Sequence, residues 1–324
     1  MWSDYNTEPT VVTNVPTSQP TDGHHLECEL DTQYMSSMGQ KVPMTAWYTG
    51  GINFPNALMQ WSSDVLNTDN PPLLFSVSYG TTEAYYGGSF INRYNTELAA
   101  MGTAGISVFF ASGDSGAGGG CGTPPFQPDY PASSPYVTAV GGIKGGTPGQ
   151  SPTGETVWID GGGGFSNYAG IQDYQKTAVA SYLSSCASDL PPSNDFNSSG
   201  RAYPDISAQS VDFVIIVNGN KEGVSGTSCA SPTAGGVFGL INDLRLKNGM
   251  KQLGFANPFI YTTAASNPSA FNDVTEGYNK GCGAAKGFVA CTGFDAASGF
   301  GSPNYQEIVK VALKVGHKTK KFVK

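Results

Sequence analysis

Compact apolar runs alternate along this chain with stretches whose apolar residues recur every three to four positions. Residues 43–50, 71–80, 105–114, 136–142 and 212–220 are continuous or alternating apolar runs bounded by Gly, Pro and Asn, the signature of strands. Helical spacing runs over 27–38, closed by Gly39, over 90–101, closed by Gly102, and over 170–184, where Tyr174, Val179 and Leu183 face one side. A further helix follows Ser228, with Val237, Leu240, Ile241 and Leu244 at i, i+3, i+4, i+7. Strand, helix, strand repetition predicts right-handed βαβ crossovers and a doubly wound α/β fold, a mainly parallel sheet with helices on both faces. No charge run or Ser/Pro linker divides the chain, so residues 1–324 read as one domain with a short lead over 1–26 and a basic tail over 314–324.

Composition narrows the class. Hydrophobic residues make up 39%, enough for a core, while charged residues are 13%, half of the roughly 25% usual in soluble domains. The net charge is −8, from 17 basic and 25 acidic residues, the wrong sign for a phosphate backbone or an anionic membrane. Lys314, Lys318, Lys320, Lys321 and Lys324 crowd the tail; without them 12 bases face 25 acids, or −13. Such a balance suits a protein that works in acid. No segment reaches the ~18 to 20 apolar residues that cross a bilayer, so neither nucleic acid nor membrane is an expected partner. Six cysteines, Cys28, Cys121, Cys186, Cys229, Cys282 and Cys291, form no CxxC pair, and with only three histidines the chain offers little for zinc or thiol redox chemistry. The glycine-rich stretches 141–146 and 161–165 lack both a G-x-G-x-x-G and a Gly-Lys-Ser/Thr, which sets nucleotide binding aside. One sequon, Asn197-Ser198-Ser199, permits glycosylation of a secreted chain.

The most informative segment is Gly226-Thr227-Ser228-Cys229-Ala230-Ser231-Pro232. Ser228 falls at the start of a helix, where free N–H groups and the dipole favour developing negative charge, and Pro232 is tolerable there if it lies in the first turn. A plain Ser cap on a core helix is the simpler account. The segment is also the serine motif of the subtilisin superfamily, and a serine nucleophile needs a base. The histidines available are His24, His25 and His317, with no segment suited to present one. Glu27 and Asp31, four apart on the first helix and flanked by the apolar Leu30, Tyr34 and Met38, are the alternative: stacked carboxylates able to share a proton.

With these residues in view the chain resembles the sedolisins, or serine-carboxyl peptidases, whose fold is subtilisin-like and whose base is Glu. Glu27-Cys28-Glu29-Leu30-Asp31 resembles the family's E-x-x-L-D helix, Ser112-Gly113-Asp114-Ser115-Gly116 its S-G-D-x-G loop, and Gly226–Pro232 its serine elbow. The three occur in the family's order, and the likeness spans roughly 27–305, toward the secreted fungal-type tripeptidyl-peptidase branch. The resemblance implies Ser228 as nucleophile, Glu27 as base and then acid, Asp31 as its orienting partner and Asp114 in the oxyanion hole. A carboxylate of pKa near ~4 is an efficient base only in acid, and Asp114 donates to an oxyanion only while protonated, so an acid optimum is expected. Residues 76–80 and 161–165 are expected to line a cleft for an extended peptide.

The resemblance also implies one structural calcium ion, held by the carboxylates of Asp273 and Asp295 and the carbonyls of Val274, Cys291 and Gly293. Cys291 stands where the family usually has glycine, and Cys282 is its candidate disulfide partner. Only 26 residues precede Glu27, fewer than family catalytic domains carry, so a trimmed chain, or one lacking an element over part of the sheet, is expected. The implied protein is a monomeric acid peptidase acting on proteins or peptides, made behind a cleaved pro-domain and secreted or held in an acidic lumen. A protease using His24 or His25, and a non-catalytic peptide binder on the same scaffold, are the competing readings.

Overall fold

A computed structural model describes residues 10–13, 26–50, 53–119, 124–146, 154–281 and 286–316. The chain enters through β1 (Thr10–Thr13), helix α1 (Leu26–Gly39), β2 (Thr45–Tyr48) and α2 (Phe54–Leu66). Next come β3 (Leu74–Val77), β4 (Thr81–Thr82), α3 (Glu83–Thr103), β5 (Ser107–Ala111), β6 (Asp129–Tyr130), β7 (Thr138–Gly145) and β8 (Glu155–Val157). β9 (Gly164–Gly170), α4 (Lys176–Ser185), β10 (Gly200–Tyr203), β11 (Ile206–Gln209) and the hairpin β12 (Phe213–Val217) and β13 (Asn220–Val224) lead to α5 (Thr227–Lys247). The chain then runs through α6 (Asn257–Ser266), β14 (Phe271–Asn272), β15 (Ser302–Pro303) and α7 (Tyr305–Ala312).

The central sheet has the order β11-β7-β5-β3, all parallel, with β8 antiparallel on β7. β5 is buried at every position and its side chains alternate between layers, as a strand covered on both faces requires. Val108 and Phe110 join Ile91, Tyr94 and Leu98 of α3 in one core, whereas Phe109 meets Phe238 of α5 at 5.1 Å in the other. Each buried Phe contributes about 2–3 kcal/mol relative to an exposed one. The α/β architecture with a mainly parallel sheet is therefore as the periodicity predicted.

Several elements differ from expectation. Residues 212–220 do not extend the parallel sheet: Phe213–Val217 folds back on Asn220–Val224 as an antiparallel hairpin. The turn residues Asn218 and Gly219 have φ of 49° and 79°, the left-handed pair that a tight hairpin demands, so the Asn-Gly signal outweighs the apolar run. The hairpin packs Ile215 and Val217 on Leu30, and its edge binds α1 through Gln33 and Tyr34. Thr45–Tyr48 pairs in parallel with Thr10–Thr13 rather than with the central sheet. The stretch read as a helix over 170–184 is helical only from Lys176, because Gly164–Gly170 is a strand on β10. The helix expected at 90–101 begins earlier, at Glu83, and bends at Gly87. Helix α2 was not legible from apolar spacing, although Asn53 capping the amide of Asn56 at 3.0 Å and Pro55 in the first turn signal its start. Pro232 is in the second turn of α5, not the first, so the Ser228 carbonyl lacks its i+4 amide.

Cys291 is bonded to Cys186, 105 residues away, with Cα atoms 6.7 Å apart, and not to Cys282. Cys282, like Cys121, lies outside the described residues, and Cys28 and Cys229 are free thiols. No helix among the described residues is long and apolar enough to cross a membrane.

Candidate active site

The C-terminal ends of β3 and β5 and the first turn of α5 converge on one pocket of about 240 Å³, lined by Ser78, Gly80, Asp114, Asp129 and Ser228 among others. Parallel strands open their functional loops at this end. α5 starts after Gly226, so Ser228 is its second residue, with free first-turn amides around it. Its hydroxyl donates to the Ser78 carbonyl at 3.5 Å and is near enough to Glu27 to act on that carboxyl's pKa.

Glu27 and Asp31 stand one turn apart on α1, which lies along α5. Burial raises the Glu27 pKa above its usual 4.5; the nearby Ser228 hydroxyl lowers it in part, and Asp114 raises it further. One carboxylate oxygen of Glu27, Oε1, is buried without a partner. Asp31 is more deeply held: burial, opposed by a 2.6 Å hydrogen bond from Ser78 Oγ and aided by Glu27, pushes it up to about 8. Asp31 is thus a protonated acid beside Glu27 throughout the acid range.

Asp114 approaches from the β5 side. Its Oδ1 accepts from the Thr227 amide at 2.7 Å and the Thr227 hydroxyl at 2.8 Å, and burial raises its pKa despite both bonds. Its Oδ2 lies toward Gly226, where an added Cβ would be 2.9 Å away. Gly113, at φ 108°, is obligatory, because a Cβ there would fall 2.0 Å from Asp129 Oδ2. The structure thus brings Glu27, Asp31, Asp114 and Ser228 together.

Three residues at this site have roles that sequence reasoning missed, although Ser78 lies in the 76–80 stretch expected to line the cleft, where Ser78, Tyr79 and Gly80 do line the pocket. Ser78 holds Asp31. Asp129 lines the pocket and is pushed up to about 7 by burial, with Asp114 and Glu83 adding to the shift. Glu83 is buried and accepts from Ser133 Oγ at 2.7 Å, Ser166 Oγ at 2.5 Å and the Asn167 amide at 2.8 Å, which ties α3 to β9. None carries a linear motif; the hydrogen-bond partners of Ser78 and Glu83, 47 to 84 positions away, reveal them only in space. The glycines at 161–165 do not line the pocket. Gly162 instead bonds Gly113, donating its amide to that carbonyl at 2.6 Å, and buttresses the Asp114 loop from behind. His24, His25 and His317 lie outside the described residues.

At the other proposed site, Asp273 Oδ2 accepts from the Gly293 amide at 2.8 Å and Asp295 Oδ2 from the Cys291 amide at 3.1 Å. Two carboxylates thus converge on the turn 291–293, and burial raises both, Asp295 to about 7. No group of three or more His, Cys, Asp or Glu suited to a metal is found among the described residues. The expected set offers two carboxylates, the Cys291 sulfur being taken up in the disulfide, and the rest are carbonyls, an all-oxygen chemistry that fits a hard cation such as calcium.

The fold thus gathers a serine at the start of α5 and carboxylates from α1 and the loop after β5 at one end of the sheet. The Subtilase family model matches residues 49–280. Tripeptidyl-peptidase 1 of Rattus norvegicus is 38% identical over 298 residues, and that of Homo sapiens 39% over 301, each covering 89% of this chain and 52% of the relative. The chain spans about half the length of the curated relatives it matches. Among solved structures, Pseudomonas sedolisin, a serine-carboxyl proteinase complexed with pseudo-iodotyrostatin, superposes with a TM-score of 0.72 at 24% identity over 95% of this chain and 84% of that one. A lanthipeptide protease shares the fold more loosely, with a TM-score of 0.56 at 12% identity over 95% of this chain and 82% of that one. The chain belongs to the Subtilase family.

Proposed function

We propose that the protein is an acid-acting serine-carboxyl peptidase that hydrolyses peptide bonds through an acyl-enzyme, as a tripeptidyl-peptidase or an endopeptidase. The observation that carries this reading is the convergence of Ser228, at the start of α5, with Glu27 and Asp31 of α1 and with Asp114, which lines the same pocket as Ser228. Ser228 Oγ attacks the scissile carbonyl while Glu27 takes its proton, later returned to the leaving amine. Asp31, protonated, holds the Glu27 carboxylate in place from one turn away. Asp114 keeps its proton because its pKa is raised; with Oδ1 occupied by Thr227, Oδ2 is left to carry it and donates to the oxyanion. Activity is lost as Asp114 ionises, which sets the alkaline limit. A single structural calcium held by Asp273, Val274, Cys291, Gly293 and Asp295 belongs to the same reading, as do peptide substrates, a cleaved pro-domain, a monomeric single-domain enzyme and secretion or residence in an acidic lumen.

The test is cleavage of an unblocked protein substrate from pH 3 to pH 8 by the parent, Ser228→Ala and Glu27→Gln. An acid-side maximum that both substitutions reduce at least 1000-fold is expected, and product lengths distinguish tripeptide release from internal cutting. A neutral maximum that survives Glu27→Gln refutes the carboxylate mechanism. A folded chain that binds a peptide aldehyde yet cleaves nothing establishes the non-catalytic binder instead.

A further inference from the structure

The edge of β12 that faces away from β13 is closed by helix α1. In the antiparallel pairing of the hairpin, Val214 stands opposite Gly223 and Ile216 opposite Lys221. The amides and carbonyls of Val214 and Ile216 point away from β13, and all four are taken by two adjacent side chains of α1. Gln33 Oε1 accepts from the Ile216 amide at 2.9 Å, and Gln33 Nε2 donates to the Ile216 carbonyl at 2.8 Å. The Tyr34 hydroxyl accepts from the Val214 amide at 3.1 Å and donates to the Val214 carbonyl at 2.9 Å. An antiparallel edge presents such donor and acceptor pairs at every second residue, and a Gln amide offers the same complement that a neighbouring strand would. The helix thus sits where a third strand of the hairpin would be.

This clasp joins the two elements that carry the reactive groups. Gln33 and Tyr34 follow Glu27 and Asp31 on α1. β13 ends at Val224, two residues before Gly226, after which α5 and Ser228 begin. Beneath the clasp, Leu30 of α1, Ile215 and Val217 of β12 and Cys229 of α5 are buried in one cluster, with the rings of Tyr34 and Phe213 packed on it 4.4 Å apart. Gln33 is itself aimed: its Nε2 also donates to Glu29 Oε2 at 2.9 Å, so every polar function of the amide is engaged. The far end of α1 is seated differently, by a close approach to α5 in which a Cβ at Gly236 would fall 2.5 Å from the Met38 Cβ.

From this geometry we infer that Gln33, with Tyr34 beside it, is a positioning residue for the reaction read from Ser228 and Glu27 above: its pairing with the edge of β12 sets the reach of Glu27 to Ser228. Apolar packing is non-directional and by itself leaves a helix free to slide, whereas hydrogen bonds weaken steeply away from their preferred geometry. The clasp therefore fixes the register of α1 against the hairpin that leads into Ser228. A displacement of about 1 Å in a reacting group costs on the order of 100-fold in rate, so the effect falls on turnover rather than on substrate binding.

The test compares cleavage of an unblocked protein substrate by the parent, Gln33→Leu and Gln33→Glu. In Gln33→Leu, which keeps the packing but not the pairing, kcat should fall at least about tenfold at the acid maximum, with KM within about twofold of the parent. Gln33→Glu is the conservative rescue: a protonated carboxyl carries one donor and one acceptor and replaces the amide, whereas a carboxylate has no proton for the Ile216 carbonyl. Glu29 on α1 and Lys221, cross-strand from Ile216, are the charged groups on the elements that meet there. The kcat of Gln33→Glu relative to the parent should be within about threefold at pH 3 and fall at least about tenfold by pH 6, as a carboxyl of ordinary pKa near ~4.3 ionises. A purely structural role lowers the thermal midpoint but adds no such limb to the kcat profile. Parental kcat in Gln33→Leu, or a Gln33→Glu ratio that does not change with pH, overturns the proposal, and the Gln33→Glu profile decides it if Gln33→Leu fails to fold. A parent that cleaves nothing, or a Ser228→Ala chain that still cleaves, refutes the peptidase reading and this role with it; a parent that cleaves through Ser228 beside an unaffected Gln33→Leu refutes this role alone.

Discussion

Asp31 makes stability fall as the pH rises from acid to neutral. Its ordinary pKa of 3.8 is pushed up to about 8 in the folded chain, chiefly by burial. Between those values the folded state holds a proton that the unfolded state has released, so unfolding gains favour with each pH unit. The contribution is fully present below pH 3.8 and is gone above about pH 8. From pH 4 to pH 7 the slope of about 1.4 kcal/mol per unit sums to about 4 kcal/mol for this one carboxyl. Taking ~2.1 cal/mol/K per residue, a chain of 324 residues has an unfolding entropy near ~0.7 kcal/mol/K, so the midpoint should drop by about 6 °C. The assay is scanning calorimetry from pH 4 to pH 7 on Ser228→Ala, which removes self-digestion, and on the same chain carrying Asp31→Asn. An amide cannot titrate, so the double variant should lose about 1.4 kcal/mol per pH unit of slope; the remainder belongs to the other raised carboxyls, Asp129 and Asp295 at about 7 among them, and falls further with Asp129→Asn. A midpoint that rises toward neutral pH, or an unchanged slope in Asp31→Asn, refutes the assignment of a buried, protonated Asp31.

Gly113→Ala should abolish activity and cost several kcal/mol, since φ 108° and a Cβ 2.0 Å from Asp129 cannot both be accommodated; peptide cleavage and a melting curve check it. Asp205→Ala leaves Arg201 buried without its 2.6 Å partner and should lower stability by about 3–5 kcal/mol in denaturant titration. Calcium at 100 times its Kd should stabilise the chain by about 2.7 kcal/mol, and Asp273→Asn should remove the shift; a midpoint indifferent to both calcium and chelator excludes a calcium site there.

Much that has a local physical cause was legible in the sequence, although the Asn53 cap of α2 and the Asn218-Gly219 turn are local signals that the apolar pattern overrode. The period-two runs of β3, β5 and β7, the amphipathic spacing of α1 and the later turns of α5, and the four-residue spacing of Glu27 and Asp31 arise from contacts within a few turns or along one strand. So do the Gly113 and Gly226 positions flanking the reactive groups. Pairing between distant segments was decided only by the tertiary structure. Phe213–Val217 has the composition of a buried central strand, but the left-handed Asn218-Gly219 turn folds it onto α1. Cys291 finds Cys186, 105 residues back, because α4 is brought beside the 291–293 turn. Asp129 and Glu83 become members of the acidic cluster around Asp114 by folding alone, and the raised pKa values follow from burial, which no linear spacing encodes.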